Sequence, residues 1–212
     1  MLSLRSACRG LAVVAAALTV GCSTPPATTL IRCWSDGNVP EPGYTKILIA
    51  SALERADFRR QADDAFLAQM KKSGVVAVSS LDYAPADGPM TKETLTRAVK
   101  ACGADAVLVL RRTGMETNTI TTPGKDMPPA GSPLYDHYTD AWGKHYEPPT
   151  VEVQEIATVE CRLYGVPQKT VVWTATCKVV NPAQAPNLAA DFARLITEGL
   201  VKERQIRPTL KQ

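Results

Sequence analysis

Several kinds of residue are scarce in this chain of 212, and each scarcity closes a class of function. Histidine occurs twice, as His137 and His145, so a histidine-activated nucleophile or a nitrogen-rich metal cage has almost nothing to draw on. The six cysteines include no Cys-x-x-Cys pair, which removes thioredoxin-like chemistry and zinc knuckles. No glycine-rich loop follows a strand, because Gly74 and Gly103 read as helix stops, and with it goes a phosphate cradle. Lys and Arg number 24 against 21 Asp and Glu, with no basic run, so no nucleic-acid footprint exists. Aromatics are few: three Trp, six Tyr and three Phe.

What is present begins with a leader. Arg5 and Arg9 form a positive start without acidic residues, and residues 10–20 are an apolar run of 11. That is too short for a membrane-spanning helix, which needs about 20 residues, and right for a signal core. Leu18-Thr19-Val20-Gly21-Cys22, followed by Ser23-Thr24-Pro25-Pro26, resembles the lipobox of bacterial lipoproteins. It departs in one place: Thr19 stands where leucine is usual, with Leu18 one step further away. The resemblance implies a signal peptide over 1–21, cleavage before Cys22, and a diacylglyceryl group with palmitate on that cysteine. An ordinary signal peptide cut after Ala17 is the competing reading. Each buried methylene holds by roughly 0.8 kcal/mol, so two or three chains make a lasting tether. Ser23 instead of aspartate after the cysteine implies the periplasmic face of the outer membrane. Without Arg5 and Arg9 the chain carries 22 basic and 21 acidic residues, close to neutrality. Cys33, Cys102, Cys161 and Cys177 remain in an oxidising compartment, where four cysteines allow three complete pairings.

Residues 22–44, rich in Thr, Pro, Ser and Gly without periodicity, read as the lipidated N-terminus and a tether, with Cys33-Trp34 the one feature able to dock it. Residues 46–50 and 75–79 read as buried strands. The helix between them is opened by a Ser51–Glu54 capping box, carried by Phe58, Ala62, Phe66 and Met70, and closed by Gly74. Thr91 starts a second helix striped by Leu95, Ala98, Val99 and Cys102, Gly103 stops it, and residues 106–110 are apolar throughout, as in a strand covered on both faces. Residues 113–150 hold six prolines and four glycines without an apolar period, and read as a long insertion. Beyond it, Val151 to Leu163 and Val171 to Val179 alternate apolar and polar residues as a hairpin, and Asn187 caps a helix carrying Phe192, Ile196 and Leu200. The expected fold is α/β: one domain over 45–203 with a C-terminal tail over 204–212. Its single mixed sheet has about five strands in the order 2-1-3-4-5, formed by β-α-β-α-β, an antiparallel hairpin and a C-terminal helix.

This order resembles a group of bacterial envelope proteins that includes the curli-secretion lipoprotein and the N-terminal domain of the Tol–Pal protein TolB. The carrying segments are Lys46-Ile-Leu-Ile-Ala, Gly74-Val-Val-Ala-Val, Gly103-Ala-Asp-Ala-Val-Leu-Val, and Leu163-Tyr164 with Val172-Trp173. They are core apolar residues and turn glycines, so they specify fold more than function. The resemblance implies an assembly or envelope-maintenance role, and it brings no catalytic residue. The curli-type protein places membrane-spanning strands in its insertions. Such strands alternate over about 9–11 residues, and the insertion here shows no such alternation.

Candidate sites are few. Tyr135, Tyr138, Trp142 and Tyr146 fall within the insertion and read as partner-binding aromatics, or as a loop that buries its own rings. His137 and His145, with Asp136 and Asp140, lack an enforced geometry, so no metal and no cofactor is expected. Ser79-Ser80 before Asp82 lacks a histidine to activate it, and reads as a polar strand exit. Cys161 and Cys177 share the dry face of the hairpin. They pair directly if the turn spans 167–171, and lie diagonally if it tightens around Gln168. The expected function is a non-enzymatic, lipid-anchored envelope component with a protein partner. The alternative is a small-molecule or peptide binding module using Ser51, Ser80, Asp82 and Arg112 at the carboxyl ends of the parallel strands.

Overall fold

The longest apolar runs of the chain become the centre of one sheet. The computed structural model describes residues 28–37, 39–83, 90–122, 149–185 and 187–207. Its strands are β1 (Thr28–Ser35), β2 (Lys46–Ala52), β3 (Val76–Ser79), β4 (Ala106–Thr122), β5 (Thr150–Gly165) and β6 (Thr170–Val180). Among the described residues there are three α-helices: α1 (Ala56–Lys72), α2 (Lys92–Cys102) and α3 (Leu188–Lys202). The sheet order is β1-β6-β5-β4-β2-β3, with β3, β2 and β4 mutually parallel and the remaining pairs antiparallel. The expected order of five strands is therefore present, with β1 added at the edge beside β6.

Side chains of successive strand residues face opposite ways, so β2 serves both layers. Ile47 and Ile49 face α1 and α3, in a core with Phe66, Met70, Leu108, Trp173, Ile196 and Leu200. Leu48 faces α2 with Ala98, Cys102 and Val107. Phe66 of α1 meets Phe192 of α3 edge-on, with ring centroids 6.0 Å apart. The helix ends follow local chemistry. Thr91 accepts a hydrogen bond from the Thr94 N–H at the start of α2, and Gly103 stops that helix in the left-handed conformation with φ 65°.

Five expectations need correction. The stretch read as tether contains β1, paired with β6 from Thr28↔Val179 to Ser35↔Trp173, with a bulge between Leu30 and Arg32. Ser51 caps no helix: it lies in β2, and α1 starts after Arg55 without a side-chain cap. The insertion is not loop from 113 onward, because β4 runs to Thr122 and β5 begins at Thr150, paired along their whole length. The domain also continues past 203, since Gln205 and Ile206 are fully buried and the Gln205 carbonyl accepts the Tyr44 N–H at 2.8 Å. Asn187 does precede α3, but in the left-handed region (φ 60°) and without a side-chain cap.

Candidate functional site

At the carboxyl ends of β2 and β3, a carboxylate from α1 is built into the protein interior. Asp63 is 1% exposed and accepts hydrogen bonds from the hydroxyls of Ser51 on β2 and Ser79 on β3, the latter at 2.5 Å. Ser79 in turn accepts from the Leu81 N–H at 3.1 Å, which starts a 3-10 turn over Ser80–Asp82. Burial pushes the Asp63 carboxyl above the usual carboxylate range; the two serines oppose this, and Asp64 and Asp82 add to it. Ser51 is thus occupied by Asp63, Ser80 is buried, Asp82 is exposed, and Arg112 is ion-paired to Glu54 at 2.5 Å. The sequence-level candidates do sit at one end of the sheet. Asp63, which ties two of its strands together, is the residue that reading missed.

Three cysteines share the dry face. Cys161 and Cys33 each stand opposite Ala175, on either side of β6, while Cys177 stands opposite Val159 and Leu30. The tighter turn is the one adopted, so Cys161 and Cys177 are diagonal neighbours and both are free thiols. Burial pushes Cys177 up to about 12 and Cys161 well above its ordinary value. Burial also raises the half-exposed Cys33, by more than the Trp173 indole beside it lowers it. Among the described residues no group of three ligating side chains converges on a metal position.

The other face of β1, β6, β5 and the outer part of β4 lies beyond the reach of α2. Arg32, Thr176, Glu160 and Arg111 stand in one row across it, with Trp34, Thr174 and Arg162 in the next. Glu160 is ion-paired to Arg111 at 2.5 Å and to Arg162 at 2.7 Å. Burial works to raise its carboxyl, and the two guanidiniums hold it below the usual range. Trp34 is left 49% exposed on this basic face.

Beyond Arg111, where β2 ends, and Ile156, where β6 ends, β4 and β5 continue as a two-stranded ribbon with no strand on either side among the described residues. Met115, Thr117, Thr119, Thr121, Val151, Val153 and Glu155 share one ribbon face; Glu116, Asn118, Ile120, Glu152 and Gln154 share the other. The ribbon carries the four exposed apolar residues Met115, Ile120, Val151 and Val153. A two-stranded hairpin is marginal in water by itself.

Cys22, the aromatic group Tyr135, Tyr138, Trp142 and Tyr146, and the histidines lie outside the described residues. No protein-family model matches the chain, and no curated protein matches it. Among solved structures, it is similar to the PelC dodecamer from Paraburkholderia phytofirmans. That match has a TM-score of 0.45 and 15% identity, and covers 85% of this chain and 99% of that one. It is also similar to lipoprotein GNA1162 from Neisseria meningitidis, with a TM-score of 0.38 and 11% identity over 74% of this chain and 99% of that one.

Proposed function

We propose that this chain is a lipid-anchored, non-enzymatic protein of the periplasmic face of the outer membrane, serving as a fixed accessory or structural component of the cell envelope. The leader ending in Gly21-Cys22 supports the anchor. The observation that carries the word "fixed" is the entry of the chain into the sheet. β1 begins at Thr28, six residues after Cys22, and is bonded into the sheet beside β6 over its length. A domain that searched for distant partners would be joined to its anchor by a long solvated linker. Here the leash spans at most about 20 Å, at roughly 3.3–3.6 Å per residue.

The alternative, a small-molecule or peptide binding module at the strand ends, draws less support, because Ser51, Ser79 and Asp63 bond to one another and Arg112 bonds to Glu54. Replacing Cys22→Ser tests the anchor. The parent chain is expected to incorporate labelled palmitate and fractionate with outer membranes, and the variant to do neither. Label retained on the variant refutes the anchor. A flexible 20-residue linker inserted after Pro26 tests the mounting: lipidation and thermal midpoint should persist, while cross-linking into any envelope complex falls. A thermal shift with a small ligand that is lost in Ser51→Ala would favour the binding module instead.

A further inference from the structure

We infer that the outer part of the β4–β5 ribbon is a second membrane contact, in which the end of its Val151–Val153 face rests on the phospholipid surface that carries the anchor and so fixes the domain's orientation. The inference rests on the lipid-anchored reading above. Its origin is a single row of residues across the sheet: Thr28 opposes Val179, Val179 opposes Ala157, and Ala157 opposes Met115. The anchored end of the chain therefore enters the sheet at the end from which the ribbon projects. From Met115 the strand runs seven more residues to Thr122, about 23 Å at roughly 3.3 Å per residue. The six residues from Cys22 to Thr28 reach no further than about 20 Å. Leash and ribbon thus match in length, and a ribbon on the anchored side is long enough to touch the headgroups.

The chemistry of the ribbon selects the surface. Toward its end the pairs Thr119↔Val153 and Thr121↔Val151 carry no charge, and Val151 and Val153 are 63% and 57% exposed. Glu116 and Glu152 stand on the opposite face, and Glu155 stands on the Val151–Val153 face but nearer the root, opposite Thr117. Three carboxylates on one short ribbon disfavour an anionic surface and fit zwitterionic headgroups with a shallow apolar boundary beneath. The contact needs little intrinsic affinity, because a short tether holds the ribbon at an effective concentration on the order of millimolar.

The test uses the native lipidated chain with Cys33→Ser, placed in phosphatidylethanolamine–phosphatidylcholine vesicles. An environment-sensitive probe is attached through Thr119→Cys, or through Lys169→Cys in the β5–β6 turn at the opposite end of the sheet. Flotation is checked first, and failure to float sinks the anchor itself and this inference with it. In chains that float, headgroup-level nitroxide lipid should quench the Thr119 probe at least twofold, and iodide should quench it little. The Lys169 probe should show the reverse. Val151→Asp with Val153→Asp should abolish the lipid quenching at 119 while flotation persists. A floating chain whose Thr119 probe is open to iodide and untouched by nitroxide lipid overturns the inference. So does a probe shielded from both quenchers, which would mean that protein covers the ribbon.

Discussion

Asp63 offers the sharpest test of how this domain is held together. It is 1% exposed and joins β2 to β3 through the hydroxyls of Ser51 and Ser79. Asp63→Ala removes the acceptor of both hydroxyls. Each hydrogen bond contributes about 0.5–1.5 kcal/mol net, and a buried donor left without a partner costs about 1–3 kcal/mol. Ser79 is 5% exposed and cannot turn to water, whereas Ser51 is half-buried and can. The expected loss is about 2–4 kcal/mol, or roughly 4–16 °C in thermal midpoint for a domain of this size. Asp63→Asn keeps an acceptor and sheds the buried charge, so at neutral pH it should lie within about 1 kcal/mol of the parent. The two variants separate further with pH. Burial raises the folded-state carboxyl of Asp63 above its ordinary 3.8, so the folded chain binds that proton more tightly than the unfolded chain. This contribution to stability is fully present below the ordinary value and is lost as pH rises through the raised one. Urea unfolding between pH 4 and 8 should show it in the parent and not in Asp63→Asn. An Asn variant as weak as Ala, or an Ala variant within about 0.5 kcal/mol of the parent, would refute the reasoning.

Three further expectations follow from single positions. Gly103 has φ 65° and open space where a Cβ would sit, so Gly103→Ala should cost only the left-handed strain, about 1–2 kcal/mol by denaturant titration. At Gly165 a Cβ would meet the side-chain amide oxygen Oε1 of Gln168 and lie 2.5 Å from the Tyr44 hydroxyl, so Gly165→Ala should cost about 1–3 kcal/mol through overpacking and break the Tyr44–Gln168 hydrogen bond. Trp173 is fully buried, and Trp173→Ala should cost about 3–5 kcal/mol, seen as the loss of the cooperative thermal transition or a steep fall in its midpoint. In native alkylation followed by mass spectrometry, Cys33 should react first, with Cys161 and Cys177 labelled only after unfolding. A linked Cys161–Cys177 peptide would show that the diagonal register yields.

The parallel centre was legible because residues 46–50 and 106–110 are apolar on consecutive positions, a pattern that fits strands with helices on both sides. The hairpin register was legible in part: the polarity of Val171 argued for the tight turn, and Cys161 does stand opposite Ala175. β1 hid because its bulge after Leu30 inserts one residue and breaks the two-residue period that marks a strand. The outer half of β4 hid for another reason. Its sequence, Met115-Glu-Thr-Asn-Thr-Ile-Thr-Thr, is rich in β-branched threonine, which favours extended backbone, but a strand with neither face in the core has no apolar alternation to display. Asp63 carried a signal that went unread. Asp63, Phe66 and Met70 fall at i, i+3 and i+7, so a carboxylate occupies the stripe of α1 that faces the core, and such a group must find donors. Which donors these are depends on Ser79, sixteen residues away on another strand.

The two ends of the sheet order and the ribbon manage their open edges differently, and the difference bears on function. β3 is four residues long, and β1 is interrupted by its bulge; short and kinked edges are what keep sheets from pairing with strangers. The ribbon has neither safeguard. Outward from Met115 its two strands stay in register without a bulge as far as Thr122 and Thr150, and past Glu155, which Asn181 bonds, no further strand among the described residues pairs with their outer sides. Prolines stand only beyond it, at 123 and at 148–149. An edge of this length left in water is a liability that the rest of the fold has avoided. Its retention is accounted for under the proposal above, in which a lipid anchor on Cys22 would hold a membrane surface against the ribbon.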